Sequence, residues 1–503
     1  MYTWIFVCGI VFAFYNAWGI GANDCANSFA TSVGSKVLTL KQAVLIASIF
    51  EFSGAVFMGS HVTSTIRKKI VNLDLFENNP GDLMYGMLCA DLSSAIWLTI
   101  ATYLKLPVST THSIIGAIIG FSLAYNGSNA VNWDKIILVI ISWIASPFIA
   151  GIISGIVFYS INRFIFQSNN SYKYTQQLLP CLTFFTFFIN SLFIIYKGSP
   201  QLKLDEIELW IALVTSISIG IFTAILSYYL YLPYITRKIN DTITEIPLEI
   251  QTENAENTII KTNSYIEAVS INNNETNNNN NFIYNELESI EDNITNSKNI
   301  VKQLEDKKYN NDLDDLYQNS DKIDEKSEKL CSWIQIITAC FSSFAHGSND
   351  VSNAIAPLAT IFHIYKYNNV SSKSNVPIWI LVLGGVGIVI GLSTWGYKII
   401  NRIGRELTKI SQSRGFIIEL SAALTVIIAS RAEIPVSTTH CQIGSIIGCG
   451  LVGGIKNIKW TIVKKILLSW LVTLPFTMGL SAALFSYGHY SPNNNILFSN
   501  STL

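Results

Sequence analysis

The hydrophobic positions of this chain come in long runs and not in amphipathic stripes. Seven apolar segments precede residue 236, at roughly 3–19, 40–61, 82–104, 107–125, 134–160, 178–197 and 207–232. Five follow residue 332, at roughly 333–346, 377–400, 415–431, 435–453 and 462–486. Runs of about 20 residues suit a hydrocarbon layer about 30 Å thick, because a helix rises about 1.5 Å per residue. The pattern predicts an all-α polytopic membrane protein with about twelve hydrophobic segments. Segments 107–125 and 435–453 are rich in Gly and open with Pro-Val-Ser-Thr-Thr. They read equally as re-entrant hairpins.

The polar positions repeat. Gly21-Ala22-Asn23-Asp24-Cys25-Ala26-Asn27 and Gly347-Ser348-Asn349-Asp350-Val351-Ser352-Asn353 both spell G-x-N-D-x-x-N. About 85 residues beyond each comes Pro-Val-Ser-Thr-Thr-His, at 107–112 and 435–440. Asp91 and Glu419 each stand sixteen residues before those prolines, and each is followed by Leu-Ser. Shared features in one order define an internal duplication. Residues 1–160 form repeat 1, 161–235 two intervening helices, 333–490 repeat 2 and 491–503 a tail. Seven crossings separate the two starts, an odd number, so the repeats are expected to be inverted. Secondary transporters commonly place their site between such repeats.

Residues 236–332 break the pattern. They include the run Asn-Asn-Asn-Glu-Thr-Asn-Asn-Asn-Asn-Asn at 272–281. Such a segment lacks the apolar surface for a core and reads as a disordered acidic loop, with room for a short helix around 285–309. The whole chain is 50% hydrophobic and 13% charged, against about a quarter charged in soluble domains. Its net charge of -1 is a balance of -12 in residues 241–330 and +11 elsewhere. Arg237 and Lys238 favour a cytoplasmic loop; Arg67-Lys68-Lys69 argue the other way, and the repeat parity outweighs them. The eight cysteines form no C-x-x-C pair and are expected to be small buried hydrophobes. The apolar N-terminus has no basic n-region and reads as a retained first span.

Carboxylates inside spans are costly and mark function. Here they are Asp24, Glu51, Asp91, Asp350 and Glu419. In Asn-Asp-x-x-Asn the Asp and second Asn share a helix face. The preceding Gly is expected to break the helix and free carbonyls. Asn23, Asp24, Asn27, Asn349, Asp350 and Asn353 would then form a hard oxygen set suited to Na⁺, with no soft-metal site. The runs Ser109-Thr110-Thr111 and Ser437-Thr438-Thr439 follow a proline, so they belong at helix N-termini, where free N–H groups attract anions. Asp24 and Asp350 join them as candidate anion contacts through the substrate's own protons. His112 and His440 read as orienting groups.

G-A-N-D-x-A-N-S, G-S-N-D-V-x-N-A and the doubled P-V-S-T-T-H resemble the inorganic phosphate transporter (PiT) family, over nearly all the chain outside 236–332. The resemblance implies an Na⁺-driven phosphate symporter of twelve spans, with phosphate and Na⁺ contacts at Asp24, Asn27, Asp350, Asn353 and the Ser-Thr-Thr runs. It links Glu51 and Glu419 to phosphate transport and implies a homodimer, most naturally in the plasma membrane. Eukaryotic members often read S-G-T-H in the first half, where this chain has Ser109-Thr110-Thr111. The alternatives are a proton-coupled phosphate transporter and, further off, an anion channel. No nucleophile–base pair, nucleotide loop or cofactor motif points to an enzyme, and nothing points to nucleic acid.

Overall fold

A computed structural model describes residues 2–197, 207–244, 323–370, 376–431 and 436–491. The Asn-rich run, the helix expected at 285–309, Pro435 and tail residues 492–503 lie outside the described residues. The chain divides into two compact units, residues 1–230 with 319–503, and residues 231–318.

In the first unit the helices before the loop are α1 (Thr3–Asn23), α2 (Ala26–Gly34), α3 (Leu40–Lys69), α4 (Pro80–Tyr103), α5 (Thr110–Asn126), α6 (Trp133–Ile161), α7 (Ser171–Lys197) and α8 (Leu209–Leu226). The second unit contributes α9 (Leu232–Thr244). The first unit resumes with α10 (Glu325–Tyr367), α11 (Ile378–Trp395), α12 (Tyr397–Asn401), α13 (Gln412–Arg431), α14 (Thr438–Val452) and α15 (Trp460–His489). One isolated bridge pairs Val71 with Val131; no longer strand occurs among the described residues. Local signals set the starts. α3 opens on a reciprocal cap between Thr39 and Gln42, and α4 carries Pro80 in its first turn, where a missing N–H costs nothing.

Eight stretches among the described residues are long and apolar enough to cross a bilayer. The outer faces of α6, α8 and α15 expose Ile144, Phe148, Phe222 and Leu471. Surface of that kind is stable against lipid and not against water. The chain is an integral membrane protein. Five of the cysteines (Cys25, Cys89, Cys331, Cys441 and Cys449) are buried, and all eight are free thiols.

Two features position the site. First, α10 is 43 residues long, roughly 65 Å. The segment expected at 333–346 therefore runs on through the second motif. Ala354, Ile355, Leu358, Ile361 and Ile364 are buried, so continuing the helix keeps an apolar face in the core. It stops at Asn368, which has φ 50°, a left-handed cap that Asn tolerates. Second, α5 and α14 have only 17 and 15 residues, roughly 26 and 23 Å. Neither is among the eight stretches above, and each packs on a helix of the other half: α5 along α15, and α14 along α6. In the same way α1 packs on α11 and α10 on α3.

Candidate functional site

The two G-x-N-D-x-x-N motifs have different backbones. The first spans the junction of α1 and α2. The Asp24 and Cys25 amides both bond to the Ile20 carbonyl, at 2.8 and 3.2 Å, so Gly21 loses the helical donor its carbonyl would have had. The second motif lies within unbroken α10. The expected break with a freed carbonyl occurs after Gly21 and not after Gly347. A Cβ at Gly21 would overlap the Ile388 carbonyl of α11, and one at Gly347 the Glu51 carbonyl of α3. Each glycine also lets a distant helix come into backbone contact. This makes Ile388 and Glu51 equivalent positions of the two halves.

The aspartates meet in one buried cluster with the threonines of both Ser-Thr-Thr runs. Thr110 Oγ1 donates to Asp24 Oδ2 at 2.8 Å, and Thr438 Oγ1 donates to Asp350 Oδ2 at 2.9 Å. Asn27 Nδ2 donates to Asp24 Oδ1 (2.7 Å) and across to Thr439 Oγ1 (3.1 Å). Asn353 Nδ2 donates to Asp350 Oδ1 (2.8 Å) and across to Thr111 Oγ1 (3.2 Å). The pattern is two-fold. Three contacts break it: Thr439 donates to Asp24 Oδ1, Thr110 lies 3.3 Å from Asp350 Oδ1, and Asn353 Nδ2 also reaches Thr110 Oγ1 at 3.0 Å. Asp24, Asp350, Asn27 and Asn353 are each at most 3% exposed.

A residue the sequence reading passed over completes the cluster. His346 Nδ1 donates to Glu51 Oε2 at 2.9 Å. Its Nε2 stands 3.3 Å from Asp350 Oδ2 and 3.9 Å from Asp24 Oδ1, close enough for attraction but without hydrogen-bond alignment. Ser343 donates to Glu51 Oε1 at 3.0 Å. The signal was present in the chain: His346 lies four residues before Asp350, on the same helix face. The first copy has Ile20 at that place, opposite Ile388.

The other expected residues divide. Glu419 is fully buried and accepts from Thr31, Thr338 and, at 3.1 Å, Ser32. It thereby ties α2, α10 and α13 together. Asp91 accepts from Asn16 Nδ2 at 3.0 Å, and Asn16 in turn reaches the Asn353 carbonyl at 3.3 Å. Asn23 turns away from the aspartates, donating to Thr102 and the Leu106 carbonyl and accepting from Val108 N. It pins the chain that leads into the first Ser-Thr-Thr run. No hydrogen bond joins the half-buried Asn349 side chain to the cluster among the described residues; its carbonyl accepts from Ser352. Ser109 and Ser437 are helix N-caps, each accepting from the amide three residues on (His112 and His440) at 3.3 Å. His440 stacks on Trp470 and His112 lies tilted over Trp143, with ring centroids 3.7 and 3.5 Å apart, and the two histidines lie 4.4 Å from each other. The two motif helices are locked together there.

A cleft reaches the cluster. It is lined by Asn27, His346, Thr438 and Gln442 together with Ala422, Ala423 and Val426. Buried carboxylates, amides and hydroxyls beside a cleft can hold a hydrated cation and an oxyanion together.

The model of the phosphate transporter family matches residues 20–481. Human sodium-dependent phosphate transporter 1 is 30% identical, across 97% of this chain and 96% of its own length. A putative phosphate permease of Pyrococcus horikoshii is 35% identical, across 96% and 97%. A solved structure titled "The sodium-dependent phosphate transporter" superposes with a TM-score of 0.73 at 29% identity, covering 96% of this chain and 98% of its own. With the match extending across both motif pairs and both halves, the chain belongs to the phosphate transporter family.

Proposed function

We propose that the chain imports inorganic phosphate together with Na⁺ by alternating access, and that the Asp24–Asp350 cluster is the shared site. One observation carries this reading: the hydroxyls suited to an anion are hydrogen-bonded to the carboxylates suited to a cation. Phosphate takes Thr110, Thr438 and Thr439 only by displacing the carboxylates from them, and Thr111 where Asn353 donates to it. An ionised carboxylate stripped of donors in a buried place is costly. Na⁺ at Asp24 with Asn27, and at Asp350 with Asn353, removes that cost. Each substrate therefore frees the other's ligands, which is a coupling free energy between the two. The name of the human relative, a sodium-dependent phosphate transporter, supports Na⁺ as the partner ion.

In this reading Asn23 and Asn349 stay outside the Na⁺ set, and Ser109 and Ser437 act through the helix N-termini they cap. Glu51 balances His346. Glu419 holds α2 against α10 and α13. Asp91 reaches the site only through Asn16. The architecture that fits is twelve hydrophobic segments in two inverted repeats. The short α5 and α14 serve as re-entrant halves that meet at His112 and His440. The acidic loop is cytoplasmic, the membrane the plasma membrane, and the working form a homodimer. Labelled phosphate uptake by proteoliposomes tests the function. Uptake is expected with an inward Na⁺ gradient and not with choline at the same pH. Equal uptake in both overturns Na⁺ coupling.

A further inference from the structure

One buried polar group of the cleft has no place in the reading above. Gln442 follows Thr438 by one turn of α14, lines the cleft beside Asn27, His346 and Thr438, and is 3% exposed. Its Nε2 is buried and has no hydrogen-bond partner among the described residues. A donor left so is costly. Ala422, Ala423 and Val426 also line the cleft and their side chains accept nothing, and neither Ser28 nor Ser342 there takes a hydrogen bond from Gln442.

The duplication supplies a control. Thr439 corresponds to Thr111, so Gln442 corresponds to Ile114. Ile114 is fully buried in an apolar core beside Ile115, Ile118 and Phe121. Packing in this fold is thus satisfied by an aliphatic side chain at that position. The amide in the second half needs another reason. Asp24 and Asp350 are in the same neighbourhood, and neither takes a hydrogen bond from it.

We infer that Gln442 is a further phosphate-binding residue, donating its side-chain amide to an oxygen of the anion from the α14 wall of the cleft. This rests on the phosphate reading of the Asp24–Asp350 cluster and makes that site lopsided. The second half adds a side-chain donor that the first half lacks. A neutral amide adds affinity for an oxyanion without a fixed charge, so it does not compete with Na⁺ at the aspartates.

The test compares wild type, Q442L, Q442E and D24N in proteoliposomes, with phosphate half-saturation read at saturating Na⁺ and Na⁺ half-saturation read at saturating phosphate. A hydrogen bond to a charged group is worth about tenfold or more in affinity. Q442L is expected to raise phosphate half-saturation by about that factor and leave Na⁺ half-saturation within roughly twofold. Q442E keeps the shape, sets an acceptor against the anion, and is expected to lose more. Unfolding temperature in detergent guards against misfolding. Q442L removes an unsatisfied donor and should unfold no lower than wild type, while its temperature should rise less on adding phosphate with Na⁺. Wild-type phosphate half-saturation in Q442L, or an equal phosphate-induced rise, overturns the assignment. Loss of Na⁺ dependence in wild type, or normal coupling in D24N, instead defeats the underlying reading whatever Gln442 does.

Discussion

The two copies of G-x-N-D-x-x-N share four letters and nearly the same hydrogen bonds, yet they sit in different electrical surroundings. Around Asp350, His346 brings an imidazole to 3.3 Å, steadied from behind by Glu51. The equivalent pair around Asp24 is Ile20 and Ile388. The backbones differ as well. Asp24 sits on a turn between two helices, and Asp350 inside one continuous helix. A duplicated motif therefore fixes which groups meet, while the residues around it decide how their charge is balanced. Asp350 has an imidazole at contact distance; Asp24 has it only at 3.9 Å but takes hydrogen bonds from both Thr110 and Thr439.

Removing either charge breaks the comparison most severely. D24N and D350N each keep shape and take away a cation ligand. Each is expected to lower Na⁺-driven uptake more than about a hundredfold, since disrupting a buried charge set costs about 3 kcal/mol or more. Uptake of labelled phosphate at equal membrane expression reads this directly. Near-normal Na⁺ dependence in either variant would mean the carboxylates are structural.

A smaller effect sharpens the difference between the halves. H346Q leaves Glu51 buried beside Asp350 with no imidazole between them, which is expected to cost stability by about 3 kcal/mol. E51Q on the H346Q background should recover part of that loss, with an interaction energy of at least about 1 kcal/mol in a double-mutant cycle of unfolding in detergent. Strict additivity would show that the pair is not coupled.

The smallest effects separate neighbours in the Ser-Thr-Thr runs. T110A and T439A remove hydroxyls that touch Asp24, and each should raise phosphate half-saturation by roughly tenfold. S109A and S437A remove helix caps instead. Each should cost about 1 kcal/mol of stability and change phosphate half-saturation less than its threonine neighbour. The reverse order would move the anion contacts back to the serines.

This division marks how far the sequence could be read. The carboxylates and the threonines were legible because they repeat at matched spacing inside apolar runs, where polar side chains are expensive. The Asn-rich acidic stretch stood out in composition and lies outside the described residues. The break after Gly21 was legible, but the close helix contacts of both glycines were not, because what they touch is main chain hundreds of residues away. The second motif was expected to end a helix and lies inside one instead, since the apolar face continuing to Ile364 outweighs a single Gly. Asn23 looked like a ligand, and it proved to hold the loop at Leu106 and Val108. His346 was hidden by the search for symmetry, since its twin is Ile20. Ser and Thr are alike in a motif and were told apart only by which hydroxyl faces the aspartates.

The central claim is that phosphate and Na⁺ free each other's ligands within one cluster. Binding of labelled phosphate to the purified protein, titrated at stepwise Na⁺ concentrations with choline holding ionic strength constant, tests it most directly. The account predicts negligible phosphate binding without Na⁺ and a half-saturation that falls steadily as Na⁺ rises. In D24N that Na⁺ dependence should flatten. Phosphate affinity that is the same with and without Na⁺ in the wild type would contradict the claim.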